Sequence, residues 1–381
     1  MLYHTVFSLL IATTGVRGIQ FPKLTGQYPV GIVDIELVDD SRLDLLAPTT
    51  ETRDLMMSVF YPTSEAAVKS GNYSFAPYLS PKTAGPMGMY FGTSPEVAGL
   101  VTQTYRNATI ASGDFPVLIF SPGMGGSRLM YAAHLAELAS RGWIIFAVDH
   151  PYDAEVVEFP SGKIVLTIPS LLDDFPTKMP GLVEIRVADV EFVTNAIRSS
   201  SVWSQIPGLM SPPGGKDGLS RKHIGIFGGS LGGATAAEVM ARTTTYACGG
   251  NLDGGIYGPI PAAGFKQPFL QLETVGHNMA TDDSFAAFFN HSSGFLREFA
   301  VNGTVHQSFT DIPLVRDLVG KAFPDKLLNI TGTIDGRRLL DIDTTFIDTF
   351  FAICLKGKPA NALDGLAQVR FPEVSVPSYK A

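Results

Sequence analysis

Residues 223–240 read "HIGIFGGSLGGATAAEVM". An apolar run passes through a glycine-rich turn into an alanine-rich stretch, with Ser230 between Gly228 and Gly232. Few patterns constrain a fold so tightly. A buried strand that yields at once to a helix packed close against it belongs to a parallel α/β sheet. The tight turn imposes unusual backbone angles, and Gly228, Gly232 and Gly233 remove side chains that would clash there. With 39 glycines in 381 residues, G-x-S-x-G arises readily by chance. The strand–turn–helix setting, not the pattern, makes Ser230 a candidate nucleophile on a nucleophile elbow.

The flanking sequence supports an α/β sheet. Apolar runs predict strands at 30–38, 55–61, 116–121, 143–149, 223–228, 251–256, 268–273 and 297–303. The runs at 116–121 and 143–149 lack alternation, as expected for parallel strands buried on both faces. Helices are expected at 128–141, capped by Ser127, at 181–199, 231–242 and 342–355. Early strands pair as hairpins and later ones alternate with helices, which predicts a mostly parallel eight-stranded sheet with an antiparallel start. We expect one domain over 19–381. Insertions fall at 155–180, which holds a hairpin, at the Pro/Gly-rich 203–220, and at 307–340.

A nucleophilic serine needs an oxyanion hole and a base. The stretch "FSPGMGGSRLMY", 120–131, joins another buried strand to a helix, so the backbone N–H groups of Met124 and Leu231 can converge on one carbonyl oxygen. The stretch carries no Walker Lys-Ser/Thr pair and no dinucleotide spacing. Among the histidines, His4 lies in the N-terminal apolar segment. His134 is expected at a helix surface, His223 at a strand start and His291 at a polar helix end. His150 and His277 end strands. His306, in "NGTVHQSFTD", follows the last predicted strand and comes after Ser230 in the chain, so it is the favoured base. The acid that orients the imidazole is modestly favoured at Asp253, with Glu273, Asp282 and Asp283 as competitors.

These segments together resemble the plasma-type platelet-activating-factor acetylhydrolases and their fungal relatives, an α/β-hydrolase family. The resemblance runs over nearly the whole chain after the leader. It is carried by "TGQYPVG", "MSVFYP", "FSPGMGGSR", "GGSLGGA", "NLDGGIYGP" and, most distinctively, "GTVHQSFTD". It implies the α/β-hydrolase fold and a calcium-independent serine esterase acting on a short-acyl or phospholipid-type ester. The catalytic set it implies is Ser230, Asp253 and His306, with Met124 and Leu231 as main-chain donors. Gly229 precedes the serine where the family often has His. The same residues also suit a natural-product hydrolase, acyltransferase or cyclase, and a non-catalytic binding protein is a further reading.

Composition limits the setting. The net charge is −8 and no cluster of Lys and Arg is present, which argues against nucleic acid and against polybasic membrane binding. A neutral lipid substrate remains compatible. The start "MLYHTVFSLLIATTGVRG" predicts a signal peptide over 1–18, and no run is long enough to span a membrane. Sequons begin at Asn72, Asn107, Asn290, Asn302 and Asn329, several times more than chance, which predicts a secreted glycoprotein. The two cysteines, Cys248 and Cys354, can pair in an oxidising compartment or stay reduced. Nothing in the sequence calls for a cofactor or metal, and "DHP" at 149–151 is a strand end rather than a zinc site. The expected partner is a small-molecule or lipid ester, and a monomer is the default.

Overall fold

The computed structural model describes residues 18–171, 173, 175–212 and 224–380. Residues 1–17 of the signal segment, with His4, and His223 and residues 213–220 of the 203–220 loop lie outside these residues. Strands run in the order β1 (Val30–Leu43), β2 (Thr52–Pro62), β3 (Phe75–Pro77), β4 (Val101–Arg106), β5 (Val117–Ser121), β6 (Ile144–Asp149), β7 (Val156–Glu158), β8 (Ile164–Leu166), β9 (Ile224–Gly229), β10 (Gly249–Leu252), β11 (Phe269–Thr274), β12 (Leu296–Val301) and β13 (Val374–Lys380). Helices of eight residues or more are α1 (Ala132–Ser140), α2 (Phe175–Ala196), α3 (Leu231–Arg242), α4 (Asp283–His291), α5 (Ile312–Val319) and α6 (Gly336–Lys356).

Eleven strands form one sheet, ordered β13-β12-β11-β10-β9-β5-β6-β2-β1-β4-β3. From β6 to β12 all neighbours are parallel. β2 joins β6 antiparallel, β1 joins β2 antiparallel, and β13 closes the far edge antiparallel to β12. The chain moves outward from β5 to β6, then returns across β5 to begin β9 and proceeds the other way. That reversal opens a crevice at the carboxyl ends of β5 and β9, where open α/β sheets place their sites.

Alternate strand residues feed two cores, one on each face. Leu118, Phe120, Ile145 and Ala147 pack with α1, α5 and α6. Val117, Ile119, Ile144, Phe146 and Val148 pack with α2, α3 and α4. The central strands are buried throughout, which is why their sequences lack alternation.

The eight expected strands all lie in this sheet, but the sheet has eleven. The expectation missed β3, β4 and β13. β4 ("VTQTYR") alternates through Thr and Gln, and the edge strand β13 ("VSVPSYK") carries a proline, which an edge tolerates. β10 begins at Gly249, because its two leading glycines read as loop, and it ends before Asp253. The helix expected over 128–141 is a 3₁₀ turn at Arg128–Tyr131 followed by α1. α6 starts at Gly336, where the Asp335 side chain accepts the Arg338 N–H as cap. The hairpin within 155–180 is the β7–β8 pair.

The sequence left a Cys248–Cys354 disulfide open, and none joins them. Cys248 is wholly buried ahead of β10, whereas Cys354 is half-buried in the last turn of α6. Strand and helix hold the two thiols at different depths.

Candidate active site

Ser230 stands between β9 and α3 at φ 52° and ψ −122°. Such a conformation costs a non-glycine residue about 1–3 kcal/mol and persists only where neighbours enforce it. Here the Ser230 N–H donates to Leu252 O at 2.8 Å, and its carbonyl accepts the Gly233 N–H at 2.9 Å. A side chain on Gly232 would run into the Ser121 carbonyl, so glycine is what allows α3 to start against β5. Gly229 has its own reason. A Cβ there would lie 2.5 Å from the Tyr131 hydroxyl, which occupies the space a larger residue would take.

Asp253 follows β10, also at positive φ, 54°. Its turn is built by buried Asn251, whose side chain bonds both the N–H and the C=O of Gly254. His306 opens a 3₁₀ turn shortly after β12. The structure brings these three residues together. His306 Nε2 is 2.9 Å from Ser230 Oγ, and His306 Nδ1 is 2.7 Å from Asp253 Oδ2. Asp253 is buried while His306 is about half exposed. Burial alone would raise Asp253. Hydrogen bonds from His277 and His306 and the Thr274 N–H outweigh it, and the carboxyl sits below its ordinary range. Glu273, a competitor, is pushed up to about 12 by burial and by Glu298 beside it, so it keeps its proton. Asp282 instead bonds His277, and Asp283 lies in the first turn of α4.

Met124 lies in the loop after β5 and Leu231 is the first residue of α3, and both flank Ser230 across the β5–β9 crevice. Among the described residues neither N–H meets a protein acceptor. The loop is held from below. Buried Arg186 of α2 donates to Pro122 O at 2.5 Å and Gly123 O at 3.1 Å, and pairs with Asp153 at 2.6 and 2.9 Å. The Gly125 N–H donates to Asp153 O, and the Tyr90 hydroxyl donates to Gly125 O at 3.0 Å. Nothing in the sequence marked Arg186 or Asp153, because they partner each other and the main chain of the loop after β5, far away in the sequence.

Two histidines depart from expectation. His134 was expected at a surface and is buried. Its Nδ1 is 2.9 Å from Asp311 Oδ1 and its Nε2 is 3.2 Å from Asp343 Oδ2. Asp311 also accepts the Ala133 N–H, so this clamp ties α1, which follows the loop after β5, to the chain just after His306. An apolar residue pattern on α1 had no way to announce a polar partner on α6. His150 builds a second Ser-His-Asp chain. Its Nε2 is 2.9 Å from Ser121 Oγ, and its Nδ1 is 2.9 Å from Asp189 Oδ2. All three are buried. Burial, with Arg186 nearby, lowers His150. Hydrogen-bond geometry therefore does not by itself select a nucleophile. Access, the strained turn and the adjacent N–H groups set Ser230 apart from Ser121.

The cleft over Ser230 is lined by Met124, Met130, Tyr131, His306, Gln307 and Phe309 among others. Comparison with known proteins places the chain. The family model described as platelet-activating factor acetylhydrolase, isoform II, matches residues 13–157 and 212–355. A probable 1-alkyl-2-acetylglycerophosphocholine esterase of Arthroderma benhamiae is 27% identical, over 96% of this chain and 95% of that one. The platelet-activating factor acetylhydrolase of Canis lupus familiaris is 23% identical, over 87% and 77%. Among solved structures, a ferulic acid esterase from Streptomyces cinnamoneus superposes with a TM-score of 0.79 and 28% identity, over 95% of this chain and all of that one. This chain belongs to the isoform II platelet-activating factor acetylhydrolase family, has the α/β-hydrolase fold and is a carboxylic-ester hydrolase.

Proposed function

We propose that the chain hydrolyses short-acyl esters through a Ser230–His306–Asp253 triad. The observation that carries this is the unbroken chain of hydrogen bonds from the Ser230 hydroxyl through His306 to buried Asp253. His306 Nε2 takes the Ser230 proton as Oγ attacks the ester carbonyl. Asp253 holds the Nδ1–H and stabilises the imidazolium that forms. The Met124 and Leu231 N–H groups receive the oxyanion, and His306 returns its proton to the departing alkoxide. Water, deprotonated by His306, then releases the acid and restores Ser230.

The acyl group is short. What supports this is the Arthroderma relative, a probable 1-alkyl-2-acetylglycerophosphocholine esterase, whose named substrate carries an acetyl group. A series of p-nitrophenyl esters tests it. The expected result is that kcat/KM is highest for acetate and falls at least about tenfold by hexanoate, the scale a hydrophobic pocket imposes per few methylenes. A rise with chain length would overturn the short-acyl reading.

We also propose that the protein enters the secretory pathway and carries N-linked glycans. The apolar N-terminal run supports this, as does the position of the five sequon asparagines, Asn72, Asn107, Asn290, Asn302 and Asn329, all of which are exposed.

A further inference from the structure

Asp253 holds two imidazoles. Its Oδ2 accepts from His306 Nδ1. Its Oδ1 accepts the Thr274 N–H at 2.9 Å and lies 3.2 Å from His277 Nδ1. His277 stands in the loop between β11 and α4, and its Nε2 is 2.9 Å from Asp282 Oδ2. Asp282 is fixed in turn, since it caps α4 through the Ser284 N–H. The His277 ring lies against Phe285, with centroids 4.8 Å apart.

A neutral imidazole has one N–H and one lone pair. Between two carboxylates it can satisfy one and must turn its lone pair on the other. Only the imidazolium donates to both. His306 is placed differently. Its Nδ1 meets Asp253 and its Nε2 meets a hydroxyl, so a neutral ring with the proton on Nδ1 satisfies both contacts. One carboxylate therefore serves a cationic imidazole and a neutral one.

Resting on the triad reading above, we propose that His277 is a positioning residue: it fixes the Asp253 carboxylate from the side opposite His306, and its positive charge offsets part of the negative charge that Asp253 presents to His306. The groups that face His277 are Asp253 from the end of β10 and Asp282 and Phe285 from the start of α4. Behind them Glu273 lies near the end of β11 and Glu298 lies on β12, where its Oε1 accepts the Met279 N–H and ties down the same loop. His306 lies across Asp253. The Asp253 hydrogen bond, with the charges of Asp253 and Asp282, outweighs burial and lifts His277 to about 8. Glu273 is protonated, so it adds no charge to this balance.

The test is the pH profile of kcat/KM with p-nitrophenyl acetate for the wild type, His277→Gln and His277→Arg. In His277→Gln the acid limb of the profile is expected to move up by about half a pH unit or more, with KM changed less than about twofold. His277→Arg restores a cation and is expected to return the limb toward the wild-type position. A purely structural role would lower activity without moving the limb, so a His277→Gln limb that coincides with the wild type overturns the proposal. Nitrogen NMR of the wild-type imidazoles decides the case even where a variant fails to fold. Two protonated ring nitrogens on His277 at about pH 6.5 support the proposal, and a neutral ring overturns it. Fluorophosphonate labelling separates this inference from the reading beneath it. An unlabelled Ser230 removes the triad and this role together, whereas a labelled Ser230 with an unmoved limb removes only the role of His277.

Discussion

Ser230, Asp253 and His306 come from three different strand ends, yet each was legible in the sequence for a local reason. Ser230 had a strand before it and small residues after it. His306 followed the last apolar run. Asp253 was less distinct, and its competitor Glu273 is removed only by burial, which no short pattern reveals. His277 was weighed only as a base, because its contacts with Asp253 and Asp282 exist only once β10, β11 and α4 are side by side. If the triad reading holds, Asp253→Asn keeps the geometry but leaves His306 in the wrong tautomer, and kcat is expected to drop about 10⁴-fold. Steady-state kinetics at saturating ester checks this, and a loss below about tenfold would move the acid elsewhere.

The elements that carry these residues are held by buried charge. Arg186 reaches from α2 to the loop after β5 and pairs with Asp153 beneath it. Arg186→Leu leaves Asp153 buried without its cation and frees Pro122 and Gly123, at an expected cost of about 3–5 kcal/mol in urea unfolding. The His134 clamp makes a pH prediction. Burial alone would lower His134, but Asp311 and Asp343 raise it to about 9. A raised histidine contributes stability that is fully present below its unfolded value, near 6.5, and is lost as pH rises through about 9. Wild-type stability is therefore expected to fall by at most about 3 kcal/mol across that window. His134→Gln should lack that slope, and equal slopes in unfolding series at pH 6.5, 8 and 9.5 would contradict it. Most elements were legible from apolar runs. β4 and β13 were not, since threonine and glutamine in the one and serine and proline in the other, an edge strand, hide a strand that only pairing reveals.

At the scale of the molecule, the sheet reversal at β5 and β9 opens the crevice beside Ser230; the mostly parallel sheet was readable from the order of strands and helices, whereas the reversal emerges only from strand pairing. The cysteines were not readable, because pairing depends on distance. Without a Cys248–Cys354 disulfide, the melting temperature is expected to be the same with and without reductant, and a drop of several degrees would contradict it. Glycosidase treatment of protein from a eukaryotic host is expected to lower its mass by one or more glycans, and an unchanged mass would count against the secreted reading.

The account stands on Ser230 being the nucleophile, and the molecule supplies its own control. Ser121, His150 and Asp189 repeat the hydrogen-bond pattern in a sealed interior. Folded protein treated with a fluorophosphonate and mapped by peptide mass spectrometry is predicted to carry one adduct, on Ser230, with loss of esterase activity in step with labelling. An adduct on Ser121, or full activity retained after Ser230 is modified, would contradict it.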